Sequence, residues 1–421
     1  MESSTVPDNE PVPIHEVAPT AAQRIGDTLS MNIGPQHPAT HGALRLKVQL
    51  AGEVIMKCEP EIGFLHTGFE KLAEYRNYNQ FVVISDRMNY LSPLNNNIGF
   101  AVACEELFGV QVPPRGQYLR VIMAELSRLA DHVICVGLQG MDLGAFSVML
   151  WTFIEREKLY DIFEAVTGAR LTTSWTRVGG VFRDVPPDFA DLVQGFLSKF
   201  PPVLDEIEYM LSRNRIFMDR CIGVGMLTKA EALSYGVTGP MLRASGVPYD
   251  IRKARPYLCY DQLEFEIPTR TEGDAYARYL VRLAEMRQCL RIISQALEKM
   301  PGGRENKDKL PVSSQDHKVM LPPKDMVYSD MESLIHHFKL TMPGHGLIPP
   351  KGEVYSCTEA PNGELGFYIV SDGTGLPYRV RIRPPSFYNY ATFPKQVTGR
   401  LISDAVAALS SINVIAGELD R

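Results

Sequence analysis

The stretch "QYLRVIMAELSRLADHVICVGLQGMDLGAFSVMLWTFI", residues 117–154, decides between two kinds of protein. Its second half is apolar enough to suggest a membrane span, yet Gln139 and Asp142 stand in the middle of it, with Gly137, Gly140 and Gly144 around them. Such side chains are costly at membrane depth. In the first half, Leu119, Ile122, Met123, Leu126, Leu129 and Val133 recur at helical spacing and so share one face. The run is therefore expected to be the buried central part of a bundle helix, within a helical stretch from 116 to about 165. No segment is expected to cross a membrane, so any membrane contact has to come through another subunit.

Working outward, residues 98–110 are also helical in period, and Val112, Pro113 and Pro114 break them from the long run. Helices are further expected over about 187–213 and from Glu272 to Met300, with an irregular, turn-rich stretch over 221–268 between them. Toward the N-terminus, residues 28–63 alternate as strands, with Ala51-Gly52 as a tight turn. Toward the C-terminus, Asn362-Gly363 and the Asp372–Gly375 turn divide three alternating strands, and a closing helix follows. The expected class is α+β: a central long-helix bundle, a small N-terminal β-sheet and a C-terminal antiparallel β-meander. Four parts are expected: a mobile N-terminal arm (1–27), an α+β part (28–97), the bundle with its long ordered loop (98–320), and the meander with its closing helix (321–421).

Of 421 residues, 45% are hydrophobic and 22% charged, ordinary values for a globular chain long enough for two or three domains or one large core. A net charge of -6 provides no basic field for broad nucleic-acid binding, so no nucleic-acid partner is expected. The seven cysteines are dispersed, which rules out a local zinc or iron-sulfur motif. Their odd number, with no signal peptide, makes a reducing cytoplasmic compartment the default.

Three features concentrate polar groups in apolar or tightly turned surroundings. The first is the loop "NIGPQHPATHGALRL", residues 32–46, whose His37 and His41 sit between two strands on a connector shaped by two prolines and two glycines. Such a loop suits proton transfer or metal binding, and equally a surface turn whose histidines only hydrogen-bond. The second is "SDRMNYLSPLNNN", residues 85–97, where Tyr90 stands before a helix start and can point into a cavity or simply pack. The third is Asp142. A carboxylate buried in that run must be paired or protonated, and His41 is a suitable partner; a helix-to-helix hydrogen bond is the plainer alternative.

The chain resembles the NuoD-type quinone-site subunit of respiratory complex I (NADH:quinone oxidoreductase), a family related to nickel-iron hydrogenase large subunits. The likeness runs from Asp27 to Arg421 through "GPQHPATHG", "GFLHTGFEKL", "DRMNYLSPLNNN", "TGAR" with "RVGGV", "GPMLRASGVPYDIRKARPYLCYD", "GELGFYIVSDG" and "GELDR". The resemblance implies a hydrogenase large-subunit-like fold and a peripheral subunit at the cytoplasmic face of the bacterial inner membrane, active only within a proton-pumping complex. It implies that His41 and Tyr90 bind and protonate the quinone head group, that Asp142 pairs with His41, that His37 supports the loop, and that Arg87 lies beside an iron-sulfur cluster. That cluster would belong to a NuoB-type partner, with NuoC-type and NuoI-type subunits and a membrane NuoH-type subunit as further partners. No cofactor is expected on this chain, and a ubiquinone or menaquinone is its expected substrate.

The alternatives are the same subunit in a ferredoxin-fed relative of complex I, or a membrane-bound hydrogenase large subunit. Against the second, the hydrogenase nickel-ligand motifs would fall where Asn89, Ser92, Ile415 and Glu418 stand, so no thiolate remains for nickel. One departure from the family is Thr172, where many relatives carry a histidine after "TGAR". Its absence removes a titrating group and implies a cluster potential that depends less on pH.

Overall fold

The computed structural model describes residues 22–25, 28–342 and 345–421. The arm assigned to residues 1–27 lies outside the described residues except for Ala22–Ile25, which form strand β1. With β2 (Thr28–Ile33), β3 (Arg45–Ala51) and β4 (Val54–Glu61) it makes an antiparallel sheet in sequential order. In β3 the burial alternates residue by residue, placing Leu46, Val48 and Leu50 inward, as the period-two pattern requires.

Helices α1 (Phe69–Glu74) and α2 (Tyr78–Ser85) lead into α3 (Pro93–Phe108). Next come α4 (Pro114–Asp142) and α5 (Phe146–Thr167), the heart of the bundle. Here the structure differs from the sequence reading. The apolar run is not one helix but an antiparallel hairpin, and Asp142 is the last residue of α4 rather than a mid-helix residue. The stop is a Schellman motif: Ala145 N–H bonds to Gly140 O at 2.8 Å and Gly144 N–H to Met141 O at 2.9 Å, with Gly144 at φ +93°. Glycine takes that left-handed torsion without steric cost. The two-residue ribbon of β5 (Thr176–Arg177) and β6 (Gly180–Val181) then precedes α6 (Phe189–Ser212) and α7 (Arg215–Cys221).

The irregular stretch holds the short α8 (Lys229–Ser234), α9 (Pro240–Ala244) and α10 (Ile251–Ala254), after which α11 (Ala275–Lys299) packs along α4. Leu119, Ile122, Met123, Leu126 and Leu129 of α4 are fully buried against α5, α6 and α11. Each such side chain contributes about 1.5–3 kcal/mol. A buried ionic layer anchors the irregular stretch on the bundle: Arg243 of α9 reaches Glu285 of α11 at 2.6 Å and Glu359 at 2.8 Å, and Arg252 of α10 reaches Glu125 of α4 at 3.1 Å.

The pair α12 (Lys324–Ser329) and α13 (Met331–Thr341) leads to the meander β7 (Gly352–Ala360), β8 (Gly363–Ser371) and β9 (Arg379–Arg383). The first turn has Pro361-Asn362 between the paired Ala360 and Gly363, one residue earlier than the Asn-Gly signal suggests. After α14 (Pro385–Ala391) and α15 (Phe393–Val397), the single closing helix expected over residues 398–420 is instead two, α16 (Ile402–Ile412) and α17 (Ala416–Asp420). Asn413, in the left-handed region at φ +59°, ends α16 and turns the chain toward α17. These last helices cover the N-terminal sheet, with Ile55 N–H on Arg400 O at 2.8 Å. Among the described residues no helix is long and apolar enough to cross a membrane.

Candidate functional site

The histidine loop closes on itself through local bonds. Pro38–Thr40 form a single 3-10 turn, and His37 Nδ1 accepts the Ala39 N–H at 3.2 Å. The fully buried Thr40 hydroxyl lies 2.7 Å from His37 O and 2.9 Å from Gly42 O. Gly34 allows the loop to leave β2, since a Cβ there would sit 1.9 Å from Leu44 O. His41 ends the turn at φ +53°, an uncommon region for a residue with a side chain.

That torsion aims His41 at the end of α4, where its Nε2 lies 2.5 Å from Asp142 Oδ2. The two side chains are only 13% and 6% exposed. A helix C-terminus carries partial negative charge, so a carboxylate on the last residue of α4 is disfavoured unless a cation meets it. His41 is the side chain that meets both. With Nε2 held by Asp142, Nδ1 is the ring nitrogen left to serve a ligand.

Tyr90 lies in the turn between α2 and α3, half-buried, and its hydroxyl makes no hydrogen bond to a described residue. Its phenol is pushed above the ordinary tyrosine range, first by burial and then by the charges of Asp131 and Glu418. Arg87 of the same turn is exposed and forms no ion pair with a described residue. The neighbouring Asp86 points inward: its Oδ2 accepts the Ser174 hydroxyl at 2.8 Å and N–H at 3.1 Å, and burial raises its carboxyl to about 6.

Both segments are seated on α17. A Cβ on Gly42 would stand 3.0 Å from Ala416 Cβ, and one on Gly417 would stand 2.7 Å from the carbonyl oxygens of Arg87 and Met88. Two small residues of one short helix thus set how closely the His41 loop and the Tyr90 turn approach the core. Behind that turn lies a cluster that sequence reasoning missed as a unit. Asp131, fully buried in α4, accepts Asn89 Nδ2 at 3.3 Å and Asn413 Nδ2 at 2.7 Å. Glu418 is also fully buried, its Oε1 accepting the Ser386 hydroxyl and N–H, and its Oε2 without a partner among the described residues. The sequence signals were an Asp-His step, Asp131-His132, inside an apolar helical face, and the place of Asn89 and Glu418 at the compared hydrogenase ligand positions.

A surface cavity of about 590 Å³ opens along the outer side of the loop, lined by Pro35 to Pro38, Gly42, Ala43 and Phe64. His37 lines it, while His41, Tyr90 and Asp142 do not. Among the described residues no three His, Cys, Asp or Glu side chains converge in a way that could hold a metal ion. At the positions compared with the hydrogenase nickel ligands stand Asn89, Ser92, Ile415 and Glu418, an amide, a hydroxyl, an alkyl group and a carboxyl already hydrogen-bonded within the protein. That donor set does not fit nickel, which takes imidazole or thiolate in protein sites.

The profile of the family described as "Respiratory-chain NADH dehydrogenase, 49 Kd subunit" matches residues 142–421. The chain is 50% identical over 396 residues to a NuoD-type NADH-quinone oxidoreductase subunit of Opitutus terrae, covering 94% of this chain and 91% of that protein. It is 50% identical over 392 residues to the NuoD-type subunit of Leptospira biflexa, with 93% and 94% covered. To the NuoD-type subunit of Geotalea uraniireducens it is 46% identical over 395 residues, with 94% and 99% covered.

Proposed function

This chain belongs to the family of the 49 kDa subunit of respiratory-chain NADH dehydrogenase, a complex I subunit of the NuoD type, and from that premise we propose that it lines the chamber in which a quinone is reduced. The observation that carries the reading is the 2.5 Å contact between His41 and Asp142 at the end of α4. Reducing a quinone to a quinol consumes two electrons and two protons. The electrons enter from an iron-sulfur cluster of a neighbouring subunit, beside which the exposed Arg87 lies. His41 hydrogen-bonds one head-group oxygen through Nδ1 and donates a proton there, while Asp142 holds the ring through Nε2 and balances its charge. Tyr90 binds and protonates the other oxygen. Its raised phenol stays protonated through the neutral range until the reduced quinone, a stronger base than the ground-state carbonyl, takes the proton.

Each loss of the His41 proton leaves Asp142 without its cation at a negative helix end, and we infer that this charge change starts the coupling to proton pumping. Retention of full pumping per quinol in Asp142→Asn would refute that step. Exposed Phe146, Leu150 and Ile154, spaced four residues apart on α5 just beyond the Asp142 turn, support a partner covering this face. The membrane subunit is the proposed occupant, which puts the chain on the cytoplasmic side of the bacterial inner membrane.

The test is quinone reductase activity of the assembled complex carrying Tyr90→Phe or His41→Ala, with electron transfer to a soluble acceptor followed in parallel. Loss of quinone reduction with soluble-acceptor activity kept is the expected result. Unchanged quinone turnover in both variants would leave the chain a scaffold.

A further inference from the structure

Tyr90 gives up a proton in each cycle under the reading above, and its hydroxyl has no hydrogen-bond partner among the described residues from which to recover one. The groups packed behind it are unusual. Glu418 and Asp131 are both fully buried, and among the described residues neither forms an ion pair. Asp131 is held by two side-chain amides, from Asn89 and Asn413, and Glu418 by the backbone and hydroxyl of Ser386. The cation that acts on Glu418, Arg383, is spent elsewhere, on the carbonyls of Gly236 at 2.8 Å and Glu364 at 2.7 Å. Two carboxylates buried together without a paired cation do not both stay ionised, because each charge opposes the other and neither is solvated. Among the described residues no donor reaches Oε2 of Glu418, which leaves that oxygen free to carry the proton while Oε1 accepts from Ser386.

Both acids are joined to the Tyr90 turn. Asn89, the residue before Tyr90, donates to Asp131, and Gly417, the residue before Glu418, is seated against the carbonyls of Arg87 and Met88. We propose that Glu418 is a proton store acting through Tyr90: its carboxylic acid returns a proton to the Tyr90 phenolate after each donation to the substrate, and Asp131 keeps it loaded. The inference rests on the proposed quinone role of Tyr90 and assigns Glu418 no contact with quinone. Because Glu418 and Tyr90 share no hydrogen bond, the step runs through an intervening water: the Glu418 O–H bond breaks as the water takes that proton, and the Tyr90 O–H bond forms as the water gives one up. Carboxylic acid and phenolate become carboxylate and phenol, with no electron moved, and a proton from solvent later reloads Glu418.

The energetics run in that direction. Burial first, and then the charge of Asp131, raise the Glu418 carboxyl to about 7, while the Ser386 bonds and Arg383 pull it down. The Tyr90 phenol lies higher still, raised from 10.0. The transfer is therefore downhill, and near neutral pH a sizeable fraction of Glu418 is loaded. The titratable and charged groups facing Glu418 are Asp131 from α4, Tyr90 from the α2–α3 turn and Arg383 from β9.

The test compares wild type, Glu418→Gln and Tyr90→Phe in the assembled complex. Glutamine keeps an oxygen for Ser386 but holds no transferable proton. Glu418→Gln is expected to lower quinone turnover by at least about ten-fold with the quinone KM unchanged. Wild type is expected to slow as pH rises through about 7, and Glu418→Gln should abolish that decline. Glu418→Gln turnover equal to wild type, with the same pH profile, overturns the relay. Where Tyr90→Phe itself keeps full activity, the quinone reading fails first, which separates the two failures. Should Glu418→Gln not assemble, difference infrared spectra of the wild-type complex decide. A protonated-carboxyl band that bleaches during turnover, and is silent in Tyr90→Phe, supports the relay; its absence refutes it.

Discussion

Replacing Asp142 with asparagine removes one charge from a contact that the structure fixes closely. The His41–Asp142 pair is 2.5 Å long, and its side chains are 13% and 6% exposed. An exposed pair would be worth at most about 1 kcal/mol, but this one is mostly shielded from water. A hydrogen bond to a charged group contributes about 1.5–3 kcal/mol. Asparagine keeps an oxygen that can accept from Nε2, so the lower half of that range applies. At about 1.4 kcal/mol per decade, that is a loss of about ten- to forty-fold in any step that needs His41 charged and correctly turned. The assay is steady-state quinone reduction by the assembled Asp142→Asn complex, with a soluble electron acceptor as control. Quinone turnover within about two-fold of wild type would show that Asp142 neither charges nor orients His41, and the reasoning from the α4 terminus would fall.

Four further changes test other parts of the structure. Gly417→Ala places a Cβ 2.7 Å from two carbonyl oxygens of the Tyr90 turn, so quinone KM should rise while soluble-acceptor activity holds; unchanged KM would mean the turn is not seated on α17. Arg243→Met leaves Glu285 and Glu359 buried without their shared cation, a loss of about 3–5 kcal/mol that a clear drop in the complex's thermal midpoint should report. Asp86 has its carboxyl raised from 3.8 to about 6, so the folded state favours the protonated form and loses stability as pH rises between those values; Asp86→Asn should stabilise above about pH 6 and give no gain in acid. Thr172→His should steepen the pH dependence of the neighbouring subunit's cluster potential, and equal slopes in redox titration would refute the expectation.

Much of the architecture was legible in period and punctuation. The Leu119 to Leu129 pattern put the right face of α4 inward, and alternation located both sheets. What misled the reading was continuity of apolar character across the Asp142 turn. Past the turn Phe146, Leu150, Trp151 and Ile154 stay exposed on α5 yet are as apolar as the buried face of α4, so hydropathy does not dip where the chain reverses. The signal was Gly144, whose positive φ closes the Schellman motif, but a lone glycine among several in an apolar run reads as packing. The histidine loop was visible because two histidines, two prolines and two glycines crowd into it. Its geometry was not, since His41 meets Asp142 across 101 residues. The Asp131–Glu418 cluster was least legible, being assembled from α4, α17 and their contacts to Asn89, Ser386 and Asn413, each commonplace alone.

The same cluster bears on how a scaffold of this kind holds together without metal. Asn89 and Glu418 stand at two positions where the resemblance to hydrogenases would place thiolates. A bound cation would normally cross-link the α2–α3 turn to the C-terminal helix. Here the link is made by hydrogen bonds, from Asn89 to Asp131 and from Asn413 to the same carboxylate, with Asn413 in a left-handed turn that brings its amide there. Glu418 is held by Ser386 on the other side. Hydrogen bonds to buried carboxylates are individually worth only about 1.5–3 kcal/mol, but several together fix the turn. They also leave behind what a metal would have neutralised, negative charge within electrostatic reach of Tyr90. A phenol beside that charge resists ionisation until a stronger base arrives. The side chains that stand in place of thiolates thus leave the neighbouring tyrosine a phenol that resists ionisation, which is what the proton delivery proposed above requires.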